Sequence, residues 1–312
     1  MFQKILKIMN DSKHVVTGAF GLSGRYIARR LLGRGISVET LTNTQPKADP
    51  FGGRVRAHPL NFSDADGLVR ALDGADVLYN TYWVRFDCKR FTHEQAVRNT
   101  FALFDAAGRA GVRRIVHVSI MNPDSRSGLP YFRGKGQIEE YLRAGAVPHS
   151  ILRPAVLFGD NAILLNNIAW MLRRFPCFGI FGDGKYKIEP VHVDDLAALA
   201  VEHGARTKKS VTLDVKGPES FEYRELVRAI GGAIGCERRL FSISPATGYF
   251  CGKLMSVLKG DVVITREEIQ GLMAGLLATD SEPNAPTRLS DWLAANRDWL
   301  GGRYQNEMKR RV

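Results

Sequence analysis

Short apolar runs alternate with longer stretches of helical periodicity through the first half of the chain. His14-Val15-Val16-Thr17 has the near-continuous apolar character of a strand covered on both faces. A glycine-containing turn follows it, then a helix over 22–33. Ser37 to Leu41 and Val55 to His58 predict two more strands, with a helix near 64–73 after the second. Asp76-Val77-Leu78-Tyr79 is a fourth strand, and the apolar positions Ala96, Val97, Phe101, Leu103, Phe104 and Ala107 predict a helix within 92–110. Arg114 to Ser119 and Ser150-Ile151-Leu152 complete six strands. Such alternation predicts right-handed βαβ crossovers on a parallel sheet, an α/β doubly wound architecture.

The rhythm changes after Arg153-Pro154. Residues 160–190 are rich in Phe, Trp, Gly and Pro, with an amphipathic helix over 162–174 that contains Trp170. Val211 to Val215 reads as a late strand and 222–231 as a helix. Residues 236–312 read as mixed and mostly helical, with a Pro-containing loop from Asp280 to Thr287. The expected division is a nucleotide-binding domain over 1–159, to which 191–217 returns, and a smaller, mostly helical substrate domain over 160–312.

Composition fits a globular chain: 312 residues, 45% hydrophobic and 24% charged, which excludes disorder. The net charge of +12 raises a polyanion partner. The first 120 residues hold 18 of the 44 basic but only 10 of the 32 acidic residues, leaving +8 there and +4 in the rest. No basic tract accompanies the excess, so the reading is a solvated surface without nucleic-acid binding. No apolar run approaches the roughly 18 residues of a membrane span. The four cysteines lack metal spacing, as do the seven histidines, so no metal is expected and the chain reads as reduced and cytoplasmic.

Thr17-Gly18-Ala19-Phe20-Gly21-Leu22-Ser23-Gly24 places glycines at 18, 21 and 24 between the first strand and the first helix. Spacing alone is a weak signal, but in this position glycine allows positive φ and close approach of a pyrophosphate to the helix N-terminus. Thr17, Gly18, Phe20, Gly21, Leu22, Ser23 and Gly24 are therefore candidate cofactor contacts. The second strand ends Leu41-Thr42-Asn43, without the carboxylate that would take the 2′-hydroxyl of NAD. Glu39 comes two residues early, while Arg25 and Lys47 are cations suited to a 2′-phosphate. NADP(H) is expected over NAD(H), with Asn43 also near the ribose.

Tyr131 and Lys135 stand four apart, on one face of a helix. An ammonium beside a phenol lowers the phenol's pKa and lets it exchange a proton with a substrate oxygen. Tyr249 and Lys253 repeat the spacing, but only Tyr131 follows a sheet strand, 12 residues after Ser119. Sites in open α/β sheets lie at such carboxyl ends.

Together these residues resemble the short-chain dehydrogenase/reductase superfamily in its extended or atypical branch. The likeness covers about 13–235. It rests on TGAFGLSG at 17–24, Ser119, YFRGK at 131–135, ILRPAVLFG at 151–159, GDGKYKIEPVHVDDLA at 182–197 and VKGPESFEYRELVRAIGGAIG at 215–235. Within that branch the chain is most similar to epimerase/dehydratase-like proteins, the NADPH-binding accessory subunit of respiratory complex I among them. The resemblance implies Tyr131 as general acid/base, Lys135 on the nicotinamide ribose, Ser119 on the reacting oxygen (with Ser125 and Ser127 as competitors) and Pro154 beside the nicotinamide. Asp194 and Asp195 would be structural.

Departures from the family pattern are Asn61 in place of an acidic residue after the third strand, and the bulky run Tyr79-Asn80-Thr81-Tyr82-Trp83 after the fourth. Asn61 and Asn80 are expected at the cofactor, and Tyr82, Trp83 and Asn99 near the substrate. The implied function is an NAD(P)-dependent oxidoreductase or epimerase/dehydratase acting on a small molecule, as monomer or homodimer. Its rival is a non-catalytic NADP(H)-binding protein of NmrA-like or complex I-accessory kind, which blockage of the nicotinamide face by Tyr82 or Trp83 would favour.

Overall fold

The structure is a computed structural model that describes residues 12–43, 49–160, 162–206 and 209–310. It divides into two compact units, Met1–Arg153 with Val193–Asp214, and Pro154–His192 with Val215–Val312.

The first unit runs β1 (Lys13–Thr17), α1 (Leu22–Gly33), β2 (Ser37–Leu41), β3 (Val55–His58), α2 (Ala65–Leu72), β4 (Ala75–Asn80), α3 (His93–Arg109), β5 (Arg114–Val118), α4 (Pro130–Ala144) and β6 (His149–Pro154). Seven strands form one sheet in the order β11-β6-β5-β4-β1-β2-β3, where β11 is Val211–Val215. Every ladder from β6 to β3 is parallel. Strand order reverses between β1 and β4, which opens the crevice of a doubly wound sheet at their carboxyl ends. β1, β4 and β5 are buried almost throughout, which explains their continuous apolar runs. Val15, Leu78, Leu103, Ile115 and Ile138 join one core cluster between sheet and helices.

Two charged groups inside this unit are paired. Glu139 of α4 is buried and receives Arg153 through Nε at 3.0 Å and Arg143 at 2.6 Å. Asp194 opens the helix α6 (Val193–Gly204) and holds Arg30 of α1 through two hydrogen bonds of 2.8 and 2.7 Å. Asp194 is thus structural, through a salt bridge to another helix.

The second unit contains β7 (Leu157–Phe158), α5 (Ile163–Arg174), β8 (Cys177–Phe181), β9 (Lys187–Ile188), β10 (Val191–His192), β12 (Phe221–Glu222), α7 (Tyr223–Ala233), β13 (Arg239–Ile243), α8 (Pro245–Lys259), α9 (Arg266–Met273), α10 (Leu289–Asn296) and α11 (Glu307–Arg310). Its strands make two-stranded sheets only, β10-β7, β12-β9 and β13-β8. β13 is a strand within the stretch expected to be mostly helical; its Arg239-Leu240-Phe241-Ser242-Ile243 pairs in parallel with β8. This unit has its own core, with Phe158, Ile168, Ile180, Leu226, Ile230 and Leu293. Trp170 is buried, its ring edge-on to Tyr304, so the amphipathic face of α5 belongs to packing.

Candidate dinucleotide site

The turn after β1 is built by glycine. Gly18 has φ +64°, and its amide donates to the Leu41 carbonyl at 2.9 Å, fixing the turn to β2. Gly21 N–H closes on the Gly18 carbonyl at 2.8 Å. A Cβ at Gly24 would lie 2.2 Å from the Gly18 oxygen, so α1 can approach the turn only because position 24 has no side chain. No side chain caps the N-terminus of α1 and its first turn has no acidic residue, leaving the amides and the dipole's positive end for an anion. Phe20, Leu22 and Ser23 are half-buried around this cradle. Arg25 follows it, with a buried Nε that has no hydrogen-bond partner among the described residues.

Several polar residues expected at the cofactor are hydrogen-bonded to neighbouring groups of the fold. Thr17 is fully buried; its hydroxyl accepts from the Thr81 and Tyr82 amides at 2.8 and 3.1 Å and donates to Asn80 Oδ1 at 3.1 Å. Asn80 is also fully buried, its Nδ2 3.1 Å from His117 Nδ1. These side chains tie the tip of β1 to the tip of β4 and reach no crevice surface. Asn43 spans both polar groups of Leu60, donating to its carbonyl at 2.8 Å and accepting from its amide at 3.0 Å. Asn61 accepts from Ser63 N in a local turn. Lys47 lies outside the described residues. Glu39, although burial opposes ionisation, is held below the usual carboxylate range by Lys13 and His58. Thr17→Val should orphan the Thr81 amide, since the Tyr82 amide keeps Asn80 Oδ1 as acceptor, lowering stability by about 1–3 kcal/mol in chemical denaturation and weakening nucleotide binding through the displaced turn.

Beyond the tip of β5 lies the tyrosine-lysine pair. α4 carries Tyr131, Gly134 and Lys135, and Pro130 starts it. Lys135 is 2% exposed, and its Nζ donates to the Val118 carbonyl at 2.8 Å. Burial lowers its pKa to about 7, against the opposing field of Glu139. The amine also lies 4.7 Å from the ring centre of Trp83. Trp83 meets Tyr131 edge-on at 5.6 Å, and His93 meets Tyr131 edge-on at 5.7 Å. Gly134 makes room for this indole, since a Cβ there would sit 2.7 Å from Trp83 Cη2. The indole thus touches both members of the pair, and its buried Nε1 finds no partner among the described residues.

Ser119 is buried, its Oγ without a partner among the described residues. Its competitors are engaged: Ser125 donates to Glu140 and Ser127 Oγ accepts from Leu129 N at 3.2 Å. Tyr82 stacks at a tilt on Phe62, and its hydroxyl accepts from Asn99 Nδ2 at 2.9 Å. Pro154 closes β6 and is buried. Tyr249 and Lys253 belong to α8 in the second unit, with Arg266 over the Tyr249 ring at 4.7 Å. His93, which has no second histidine at metal-like spacing, lies buried against the pair. Its Nδ1 lies 2.7 Å from Asp87, and its sequence signal is its position at the start of the helix after β4.

A glycine cradle at the switch point of a parallel sheet, with a tyrosine-lysine helix following β5, is the arrangement of a Rossmann-type dinucleotide-binding domain. Comparison with known proteins agrees: the NAD(P)H-binding family model matches residues 18–166. The chain is 26% identical over 231 residues to the mitochondrial 40 kDa subunit of NADH-ubiquinone oxidoreductase from Neurospora crassa, covering 72% of this chain and 60% of that protein. It is also 26% identical to subunit 9 of the NADH dehydrogenase 1 alpha subcomplex from Arabidopsis thaliana, over 68% of this chain and 55% of that one. It therefore spans under two thirds of the length of these relatives. Among solved structures, a nucleoside-diphosphate-sugar epimerase from Staphylococcus aureus superposes with a TM-score of 0.72 at 17% identity, covering 90% of this chain and 99% of that one. Among the described residues no helix is long and apolar enough to cross a membrane.

Proposed function

We propose that the chain binds NADP(H) on the glycine cradle and holds it without turnover, as an accessory or sensing protein. The observation that carries this reading is the indole of Trp83 seated against both Tyr131 and Lys135. In the implied reaction the nicotinamide supplies or accepts hydride, Lys135 binds its ribose and Tyr131 moves the proton. With Trp83 in place, the Lys135 amine is sealed and already donates to Val118. The preference for NADP(H) is supported by the absence of a carboxylate at the end of β2 and by the unpartnered Arg25 Nε beside the cradle. The two complex I relatives support membership of a larger assembly.

The catalytic reading rests on one observation that favours it, the unpartnered buried hydroxyl of Ser119. Titration with NADPH and NADH, followed by incubation with a panel of nucleoside-diphosphate sugars, separates the two. The expected result is tighter NADPH binding, no consumption of cofactor or sugar, and a dissociation constant that Tyr131→Phe leaves within about twofold. A conversion that Tyr131→Phe abolishes would establish the enzyme, and equal or tighter NADH binding would remove the NADP(H) preference.

A further inference from the structure

Helix α8 is amphipathic the wrong way round. Helices at a protein surface turn their apolar stripe to the core. Here the inward positions are small: a Cβ at Gly248 would lie 2.2 Å from the Phe181 ring, and one at Gly252 2.6 Å from Ile264. Ser256 completes that face, donating to the Gly252 carbonyl at 2.7 Å and accepting from Val263 N at 3.0 Å. The outward face carries Phe250, Leu254, Val257 and Leu258, at i, i+4, i+7 and i+8, exposed by 72, 58, 81 and 69%. Phe241 on β13, the strand leading into the helix, adds another ring that is 44% exposed.

We infer that this face docks on an anionic bilayer surface, with the helix lying in the interfacial plane. Four large apolar side chains in one stripe mark an interaction surface, unlike scattered exposed residues. At 15 residues the helix is about 22 Å long, too short to span a bilayer but suited to lying on one. Charge selects the occupant. The helix contains no Asp or Glu; its only charged residues are Lys253, which is exposed, and Lys259. Arg266 adds a guanidinium over the Tyr249 ring at the helix's other edge. Of the acidic residues that follow, Asp261 is buried and taken by Tyr304 and the Glu307 and Met308 amides, Glu268 caps α9, and Glu267 is exposed next to Arg266, which leaves Lys253 as the cation beside the stripe. An apolar stripe with lysine beside it matches acyl chains under anionic headgroups. A second copy of the chain would bring the same lysine-flanked stripe, with no carboxylate on the helix to meet it.

The test is co-flotation of the full chain with vesicles of phosphatidylcholine, alone or with about 30% phosphatidylglycerol. The expected result is binding to the anionic vesicles that falls with salt. The double variant Phe250→Ser/Val257→Ser should lower partitioning by about a hundredfold, roughly tenfold per apolar side chain removed, with an unchanged thermal melt because both side chains are exposed. Lys253→Gln should reduce the preference for anionic vesicles. No binding to the anionic vesicles overturns the proposal, as does binding that the double variant retains. A solution dimer that the double variant splits also overturns it, by assigning the face to a second copy.

Discussion

Gly24→Ala should raise the dissociation constant for NADPH by at least about a hundredfold and lower stability by about 3 kcal/mol. The added Cβ would meet the Gly18 carbonyl oxygen at 2.2 Å, its carbon at 2.8 Å and Ala19 Cα at 3.1 Å. All three are backbone atoms of a turn fixed by the Gly18–Leu41 hydrogen bond, so no rotamer change relieves the clash. The helix must withdraw, and overpacking of this kind costs about 1–3 kcal/mol or more. Withdrawal also carries the α1 amides away from a bound pyrophosphate, so affinity falls along with stability. Gly33 supplies the control. It closes the same helix with nothing within 4 Å of its Cβ position, and Gly33→Ala should leave binding unchanged and add up to about 1 kcal/mol. Calorimetric titration with NADPH and denaturant melts read both effects; wild-type affinity in Gly24→Ala would remove the cradle from the site.

Lys135→Met should stabilise the protein at neutral pH by a few kcal/mol, with a gain that disappears as the solution becomes alkaline. Burial holds the Lys135 amine at a pKa of about 7, against 10.5 for an exposed lysine. Between those values the folded chain carries a neutral amine and the unfolded chain an ammonium, so unfolding takes up a proton and wild-type stability rises with pH. The slope approaches about 1.4 kcal/mol per pH unit. Below pH 7 the full cost of burial is present; toward pH 10 it is relieved. Methionine keeps the apolar length under Trp83 and has nothing to titrate. Melts of wild type and variant from pH 6.5 to 9.5 should therefore converge from a wide gap. Parallel curves would mean that Lys135 is solvated and that the indole does not seal it.

The parts of the site that were legible in the sequence were those fixed by neighbours in the chain. The cradle follows from β1, three glycines and α1 within twenty residues, and the spacing of Tyr131 and Lys135 follows from one helix. The cover on that pair joins residues 83 and 135, brought together because β4 and β5 are adjacent in the sheet. Gly134 was the available signal: a glycine inside a helix weakens it, and close approach of a neighbour is the usual reason. The strand-tip polar residues were ambiguous for a related cause. Thr17, Asn80 and Asn43 are of types that bind nucleotides equally well or hold two strand ends together, and only the fold shows that they do the second. β13 was missed because five residues of mixed character, Arg239 to Ile243, acquire their pattern from pairing with β8.

The most direct test of the proposed function is a crystal structure of the chain with NADPH. The account predicts an ordered adenosine diphosphate half on the N-terminus of α1, with the Trp83 indole still over Lys135 and against Tyr131. An indole swung away, with the nicotinamide ribose on Lys135 Nζ and the ring facing Tyr131, would contradict it and favour the catalytic reading.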